Sequence, residues 1–330
     1  MTNRTDWFQR ARWGVSSHYL ADFASSTAGA DLLPDEWNRQ IDAFDVEGLA
    51  DQLAAAKVGY YMLTLGQNSG FFLSPNATYD RLVGRTPSRC SRRDVLMELA
   101  VALEKRGIAL LAYLPSGAPA ADPFACEKLG WEWGYKGGWP HGWNNELRTG
   151  KRLVEFQLRW EAVIREWSLR WGRLVKGWWF DGCYFADEMY RHADAPNFHS
   201  FAAAARAGNP DSIVAFNPGI MLEPHSEAED YTAGETNEPE KLVCPGRWVV
   251  AKDGHREQYH VWSYLGNNWG AMPLRFTVEQ LRSLTTNIID HGGVFTWDAP
   301  IEKSGRLPAE AADALAGLGQ SLQILRNNGI

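Results

Sequence analysis

A chain of 330 residues, 45% hydrophobic and 22% charged, can bury one large core the size of an α/β barrel, roughly 250 residues plus insertions, without disulfide or metal support. Its formal net charge of -7 repels phosphate backbones, and no Lys/Arg stripe with interleaved aromatics is present, so nucleic acid is excluded as an expected partner. No window approaches the ~20 apolar residues of a membrane span, no apolar leader follows Met1, and Cys90, Cys126, Cys183 and Cys244 form no C-x-x-C pair, so the expectation is a cytoplasmic protein with reduced thiols and no membrane partner.

In chain order, short apolar runs ending on a polar residue alternate with amphipathic helical stretches, the pattern of βα units around a parallel sheet. A first strand is expected from Trp13 to His18, followed after an insertion by a helix from Val46 to Lys57 with Leu49, Leu53 and Ala56 on one face. A second strand, Gly59 to Leu65, precedes a helix from Arg92 to Arg106, which Gly107 ends before a third strand, Ile108 to Leu114. A long helix from Leu153 to Leu174 leads into a fourth strand, Gly177 to Asp181. Further strands fit Ile213 to Asn217, Asp230 to Glu235, Tyr259 to Tyr264 and Val294 to Trp297. Eight such units make a (β/α)8 TIM barrel, read as a single α/β domain over residues 1–330.

Chemistry in such barrels sits at the carboxyl ends of the strands, which directs attention to His18, Asn68, Tyr113, Asp181, Asn217, Glu235, Tyr264 and Asp298. Carboxylates, amides, one imidazole and aromatics suit the gripping and cleavage of a neutral sugar. The 16 tryptophans point the same way if they stack on sugar faces, or else build a Trp-rich core. Glycoside hydrolysis needs two carboxyl groups. Asp181 is the strongest candidate, because Gly177-Trp178-Trp179-Phe180 would carry it to the rim and Gly182 would let the backbone turn away; a cap on the next helix is the alternative. The segment from Trp131 to Trp143, which holds Trp139 and His141, reads as a long loop that walls the substrate or packs under the rim. No H-x-H or H-E-x-x-H pair occurs, so neither metal nor cofactor is expected.

Several short motifs, in order along nearly the whole chain, resemble the retaining alpha-L-fucosidase family. Trp7-Phe8-Gln9-Arg10-Ala11-Arg12-Trp13-Gly14-Val15 is similar to its W-F-x-x-A-K-F-G start, with His18 at the strand-end His; Leu49 to Phe71 is similar to its helix, strand and G-F turn. Arg93-Asp94-Val95 resembles R-D-L, Trp179-Phe180-Asp181-Gly182 the W-F-D-G nucleophile motif, Trp269-Gly270 an S-W-G element and His291-Gly292-Gly293 a K-G-G element. The resemblance implies a catalytic barrel, here without the β-sandwich that usually follows, and a retaining double displacement with Asp181 as nucleophile. It also implies an acid/base Glu in a D-x-x-x-P-E stretch, matched by Asp230 to Glu235 with Gly234 for Pro. Glu235 takes that role and Glu238 is the runner-up, an exposed loop charge being the alternative for either.

Gln67-Asn68-Ser69-Gly70-Phe71 stands where the family has H-H-D-G-F, which implies an altered sugar specificity. Asp298 adds a third carboxylate, as sugar ligand, alternative acid or turn cap before Pro300. The expected substrate-binding set is His18, Gln67, Asn68, Tyr113, Trp139, His141, Trp179, Asn217, Glu238, Trp262, Trp297 and Asp298, facing an oligosaccharide or other glycoside. A catalytically silent carbohydrate-binding barrel is the competing reading, and a homo-oligomer stays open.

Overall fold

The structure is a computed structural model that describes residues 3–21, 32–132, 151–184, 186–251 and 254–327. Mostly apolar runs form β1 (Trp13–Ser17), β2 (Tyr60–Thr64), β3 (Ala109–Pro115), β4 (Val175–Asp181), β5 (Ile213–Phe216), β6 (Trp248–Val250), β8 (His260–Tyr264) and β9 (Val294–Asp298), and the polar Arg-Glu-Gln stretch forms β7 (Arg256–Gln258). The helices are α1 (Asp6–Ala11), α2 (Pro34–Asp42), α3 (Val46–Ala55), α4 (Ala77–Val83), α5 (Val95–Glu104), α6 (Pro123–Leu129), α7 (Val154–Trp171), α8 (Ala186–Met189), α9 (Phe198–Ala205), α10 (Val278–Ile289) and α11 (Ala309–Asn327). Side chains start several of them: Asp45 accepts from the Gly48 amide before α3, Asp94 from Met97 before α5, and Thr277 with Gln280 closes a capping box on α10.

Seven strands form one parallel sheet in the order β5-β4-β3-β2-β1-β9-β8, while β6 and β7 pair antiparallel on their own. The sheet is curled, with α3, α5, α7, α9 and α10 carried on the crossovers between successive parallel strands. The eighth strand expected from Asp230 to Glu235 is replaced by isolated bridges, Tyr231 to Gln258 and Glu235 to Trp262. Toward β8 that segment bonds through its backbone, Thr232 N to Gln258 O at 3.1 Å and Trp262 N to Gly234 O at 2.7 Å. Toward β5 it does not continue a ladder, because acidic side chains take the amides first. Glu229 Oε2 accepts from Phe216 N at 3.0 Å and Asp230 Oδ2 from Val214 N at 2.9 Å. With carboxylates competing for those N–H groups, the backbone bond on that side is Asp230 N to Val214 O at 2.8 Å, and the parallel sheet has seven strands among the described residues.

The curled sheet splits the core in two. Outside, its side chains pack against the helices. Inside lies a smaller cluster that includes Tyr60, Met62, Leu111, Tyr113, Trp179, Ile213, Trp262 and Val294, closed at the amino ends of the strands by Phe8 of α1 against Tyr60, Tyr231 and His260. His260 bridges Thr232 and Thr296, and burial pushes its pKa down to about 4.

The tryptophans answer the compositional question mostly in favour of a core. Trp13, Trp37, Trp160, Trp167, Trp171, Trp178, Trp179, Trp262 and Trp297 are all buried. Their indole N–H groups find partners, such as Phe72 O for Trp37, Pro115 O for Trp160 and Pro75 O for Trp167. Among the described residues no helix is long and apolar enough to cross a membrane.

Candidate active site

Side chains alternate across a strand, so one parity of each strand points into the curl and the last inward residue stands at its mouth. That parity runs Tyr113 on β3, Trp179 and Asp181 on β4, Ile213 and Ala215 on β5 and then Asn217 just past it. It continues through Tyr231, Ala233 and Glu235 on the bridging segment, Trp262 and Tyr264 on β8, Thr296 and Asp298 on β9, and Ser16 then His18 leaving β1. Sheet geometry therefore brings residues more than 200 positions apart in the chain to one rim.

Asp181 is the centre of the contacts. Its Oδ2 accepts from the Tyr113 hydroxyl at 2.5 Å, and that hydroxyl in turn accepts from Gln67 Nε2 at 2.6 Å. Its Oδ1 accepts from Asn217 Nδ2 at 2.9 Å, with the Tyr184 hydroxyl at 3.5 Å. The same Asn217 nitrogen donates to Glu235 Oε2 at 2.7 Å. Two bonds to one nitrogen bound the separation of the nearest Asp181 and Glu235 oxygens at about 5.6 Å. Gly182, at φ 78°, turns the chain away directly after Asp181, and Cys183 N then returns to the Asn217 carbonyl at 2.9 Å.

Glu235 sits half-buried beside that charge. Burial first, then the Asp181 carboxylate, pushes its pKa up to about 7 against the opposing donation from Asn217 and the nearby His18. A proton is therefore retained there close to neutrality. Tyr113 stays a donor, its hydroxyl held well above its ordinary value by burial and by Asp181.

Across the mouth, His18 donates through Nδ1 to Asp298 Oδ1 at 2.9 Å, lies stacked on Trp262 with ring centroids 5.6 Å apart, and meets Tyr113 and Trp269 edge-on. Burial opposes charge on His18, but Asp298, Asp181 and Glu235 together raise its pKa above the usual imidazole value. Asp298 itself has no exposed surface: Oδ1 also accepts from Ser16 Oγ at 2.9 Å and Oδ2 from Gly270 N at 2.7 Å.

The structure thus gathers Asp181, Glu235, His18, Gln67, Tyr113 and Asn217 at one mouth, with half-buried Asn68 on the loop beyond β2. Five residues of the expected binding set are placed otherwise than expected. Asp298 lies behind His18 with both oxygens engaged by protein, so it neither faces a sugar nor offers a free acid. Trp297 has the opposite parity and points into the helix layer, its indole N–H donating to Thr285 at 2.9 Å. Trp179 and Trp262 point inward but lie fully under the rim, bonded to Ala233 O and Ser16 Oγ, and form the floor beneath Tyr113 and His18 rather than a sugar platform. Glu238 is exposed and pairs with Lys241 at 2.5 Å on the surface, away from the Asn217 bridge. Trp139 and His141 lie outside the described residues.

Ser16 and Tyr184 were not singled out from the sequence, and Trp269 and Tyr264 stood there only in a motif and at a strand end, without a place beside His18. Ser16 links Asp298 to Trp262, Tyr184 reaches Asp181 from the following turn, and half-buried Trp269 and Tyr264 pair at 5.0 Å beside His18. Ser16 was legible, since it precedes His18 by one inward step; Tyr184 and Trp269 sit on loops whose return path no local pattern encodes. Among the described residues no group of three or more His, Cys, Asp or Glu is placed to hold a metal ion.

Comparisons with known proteins bear on the fold and the family. An endo-fucoidan hydrolase of glycoside hydrolase family 107 shares the fold at 14% identity, covering 97% of this chain and 93% of that one, with a TM-score of 0.65. A second of that family matches at 18% over 97% of this chain, TM-score 0.71, and the chain spans 53% of its length. The alpha-L-fucosidase AlfC from Lactobacillus casei, solved with its alpha-L-fucose product, matches at 17% over 99% of this chain and 100% of that one, TM-score 0.66. At these identities the likeness is one of fold. No curated protein matches the chain by sequence. The family model described as alpha-L-fucosidase, however, matches residues 2–327, so this chain belongs to the alpha-L-fucosidase family and is a glycosidase.

Proposed function

We propose that this glycosidase cleaves a terminal glycosidic bond by a retaining double displacement, with Asp181 as nucleophile and Glu235 as acid/base, on a sugar other than, or in addition to, L-fucose. The observation that carries the reading is the pair of carboxyl groups on one amide nitrogen. A nearest-oxygen separation bounded at about 5.6 Å supports the close carboxyl spacing, roughly 5–5.5 Å, of retaining pairs over the roughly 6.5–9.5 Å of inverting ones. The fold follows the same reading, with residues 230–236 in the eighth place of a (β/α)8 barrel whose ladder is completed partly by side chains.

The electrostatics supports the order of events. Glu235, raised to about 7, carries the proton that the leaving oxygen takes as Asp181 attacks the anomeric carbon. Once Asp181 becomes a glycosyl ester its charge is gone, and with it one of the two causes that raised Glu235. The carboxyl then ionises more readily and accepts a proton from the water that releases the sugar. Amides at Gln67 and Asn68 offer hydroxyl partners with a different reach from imidazoles, which supports a changed specificity.

The test is a screen of aryl glycosides, starting with 4-nitrophenyl alpha-L-fucopyranoside, the substrate held in one AlfC structure. On the best substrate Asp181→Ala is expected to lower kcat on the order of 10⁴-fold or more, with azide restoring turnover as a glycosyl azide. A native rate in Asp181→Ala would place the nucleophile elsewhere. Wild-type protein that binds sugars and turns over none of the series would make it a silent binding barrel.

A further inference from the structure

We infer that Asn217 is the positioning residue that divides the work between the two carboxyl groups, committing one amide hydrogen to each and leaving none for the sugar. The inference rests on the reading of Asp181 and Glu235 as nucleophile and acid. It reassigns Asn217 from the substrate-binding role expected from its place at the end of a strand.

An Asn side chain has two N–H hydrogens and one carbonyl oxygen. In Asn217 the oxygen accepts from Gly219 N at 3.1 Å, and the nitrogen reaches Asp181 Oδ1 at 2.9 Å and Glu235 Oε2 at 2.7 Å. All of its hydrogens are committed. The amide cannot be reversed, because its oxygen would then face two carboxyl oxygens while its nitrogen faced an N–H. The backbone is equally determined: Asn217 N donates to Phe180 O at 2.8 Å and Asn217 O accepts from Cys183 N at 2.9 Å, so the residue is clamped to both sides of the nucleophile. It is completely buried.

This arrangement selects an atom. A carboxylic acid accepts an N–H best at its carbonyl oxygen, and Glu235 Oε2 is the oxygen that accepts. The labile proton therefore belongs on Oε1. In the first step that proton moves from Oε1 to the glycosidic oxygen, which leaves with the electron pair of the broken C–O bond while Asp181 supplies the pair for the new one. In the second step Oε1 takes a proton from water, whose oxygen supplies the pair that displaces Asp181. Asn217 moves no proton; it holds the acid so that only one oxygen can.

The groups facing Glu235 are Asp181 from β4, His18 from the end of β1, Tyr184 from the turn after β4, and Asn217. Donation by Asn217 favours ionised Glu235. Losing the donation therefore raises the pKa of the acid, and the alkaline limb of the kcat/KM profile moves to higher pH. The experiment measures that profile for wild type, Asn217→Ala and Asn217→Ser with the phenyl glycoside of the sugar selected by the aryl screen, a leaving group poor enough to need the acid.

The expected result in Asn217→Ala is an alkaline limb displaced upward by about one pH unit, with kcat lower by about 10- to 100-fold and KM changed less than about threefold. Asn217→Ser, which keeps one short donor and threatens the fold less, is expected to shift the limb the same way by a smaller amount. A limb that stays in place in every variant that folds overturns the inference, whether the loss falls on KM, as for a sugar ligand, or tracks a lowered melting temperature, as for a structural residue. Should neither variant fold, side-chain NMR of Asn217 in the wild type decides: both amide protons slow to exchange and shifting as Glu235 titrates uphold it, and one fast-exchanging proton overturns it. Asp181→Ala run in parallel separates the two failures. If that variant is inactive and rescued by azide while the limb stands still, the inference alone is wrong; if it keeps the native rate, the underlying reading is wrong.

Discussion

Two aspartates end inward-facing strands four places apart in the sheet order, and their surroundings differ. Asp181, at the end of β4, shares a donor with a second carboxyl group and remains partly open to solvent. Asp298, at the end of β9, is closed off by Ser16, His18 and the Gly270 amide. Residue type, strand parity and end of the sheet are the same for both. What separates them is where the unused lone pairs point, and whether another carboxyl group stands near enough to be perturbed. On the proposed reading one region changes its charge during the reaction, while the other holds an imidazole in place.

On the proposed reading, the largest effects after Asp181 fall at Glu235. Glu235→Gln is expected to lower kcat on a phenyl glycoside by about 10²- to 10⁴-fold and on a 4-nitrophenyl glycoside far less, and to remove the alkaline limb of the pH profile. The same substitution carries a stability signature. A carboxyl group raised to about 7 in the folded protein binds protons more tightly there than in the unfolded chain, whose value is near 4.3. Stability therefore falls as pH rises through the window from about 4.5 to 7. Replacing Glu235 by Gln should raise the melting temperature at pH 8 and change it little at pH 4. Equal effects at both pH values would mean the carboxyl is not perturbed.

On the other side of the mouth, Asp298→Asn is expected to lower kcat/KM by about tenfold while keeping the alkaline limb. Denaturant unfolding should show a stability loss of about 1–3 kcal/mol, since one of the donors of Ser16, His18 and Gly270 is left facing an N–H. If Asp298→Asn instead abolished the limb and Glu235→Gln spared it, the two regions would have to exchange roles. The smallest effect belongs to Glu238→Gln. An exposed residue whose visible partner is Lys241 contributes little, and kcat/KM should stay within about twofold of wild type.

Much of this rim was legible from the sequence because a period of two is a local property. Given a strand ending on Asp181, the inward set Trp179 and Asp181 follows, and the same count yields Tyr113, Asn217 and Glu235. That count also excludes Trp297 from the rim, since adjacent residues cannot both face inward. Alternation says which way a side chain faces, not how deep it lies. Trp179 and Trp262 face the right way and are covered, and Asp298 is covered by a loop amide 28 positions away. The missing eighth strand has the same origin. Nothing local to Asp230 to Glu235 reveals that Glu229 and Asp230 will claim the amides of β5.

Gly234 draws these threads toward descent. At φ 75° it lies so close to β8 that a Cβ there would stand 2.2 Å from the His260 carbonyl oxygen. Any larger residue would lift the segment and carry the neighbouring Glu235 off its amide. On the proposed reading, the proton donor of this chain is thus held in place by an atom that is missing. A relative with Pro at this place, whose ring holds φ at about -65°, has to lead the segment past the neighbouring strand on a different path to keep its acid where it is.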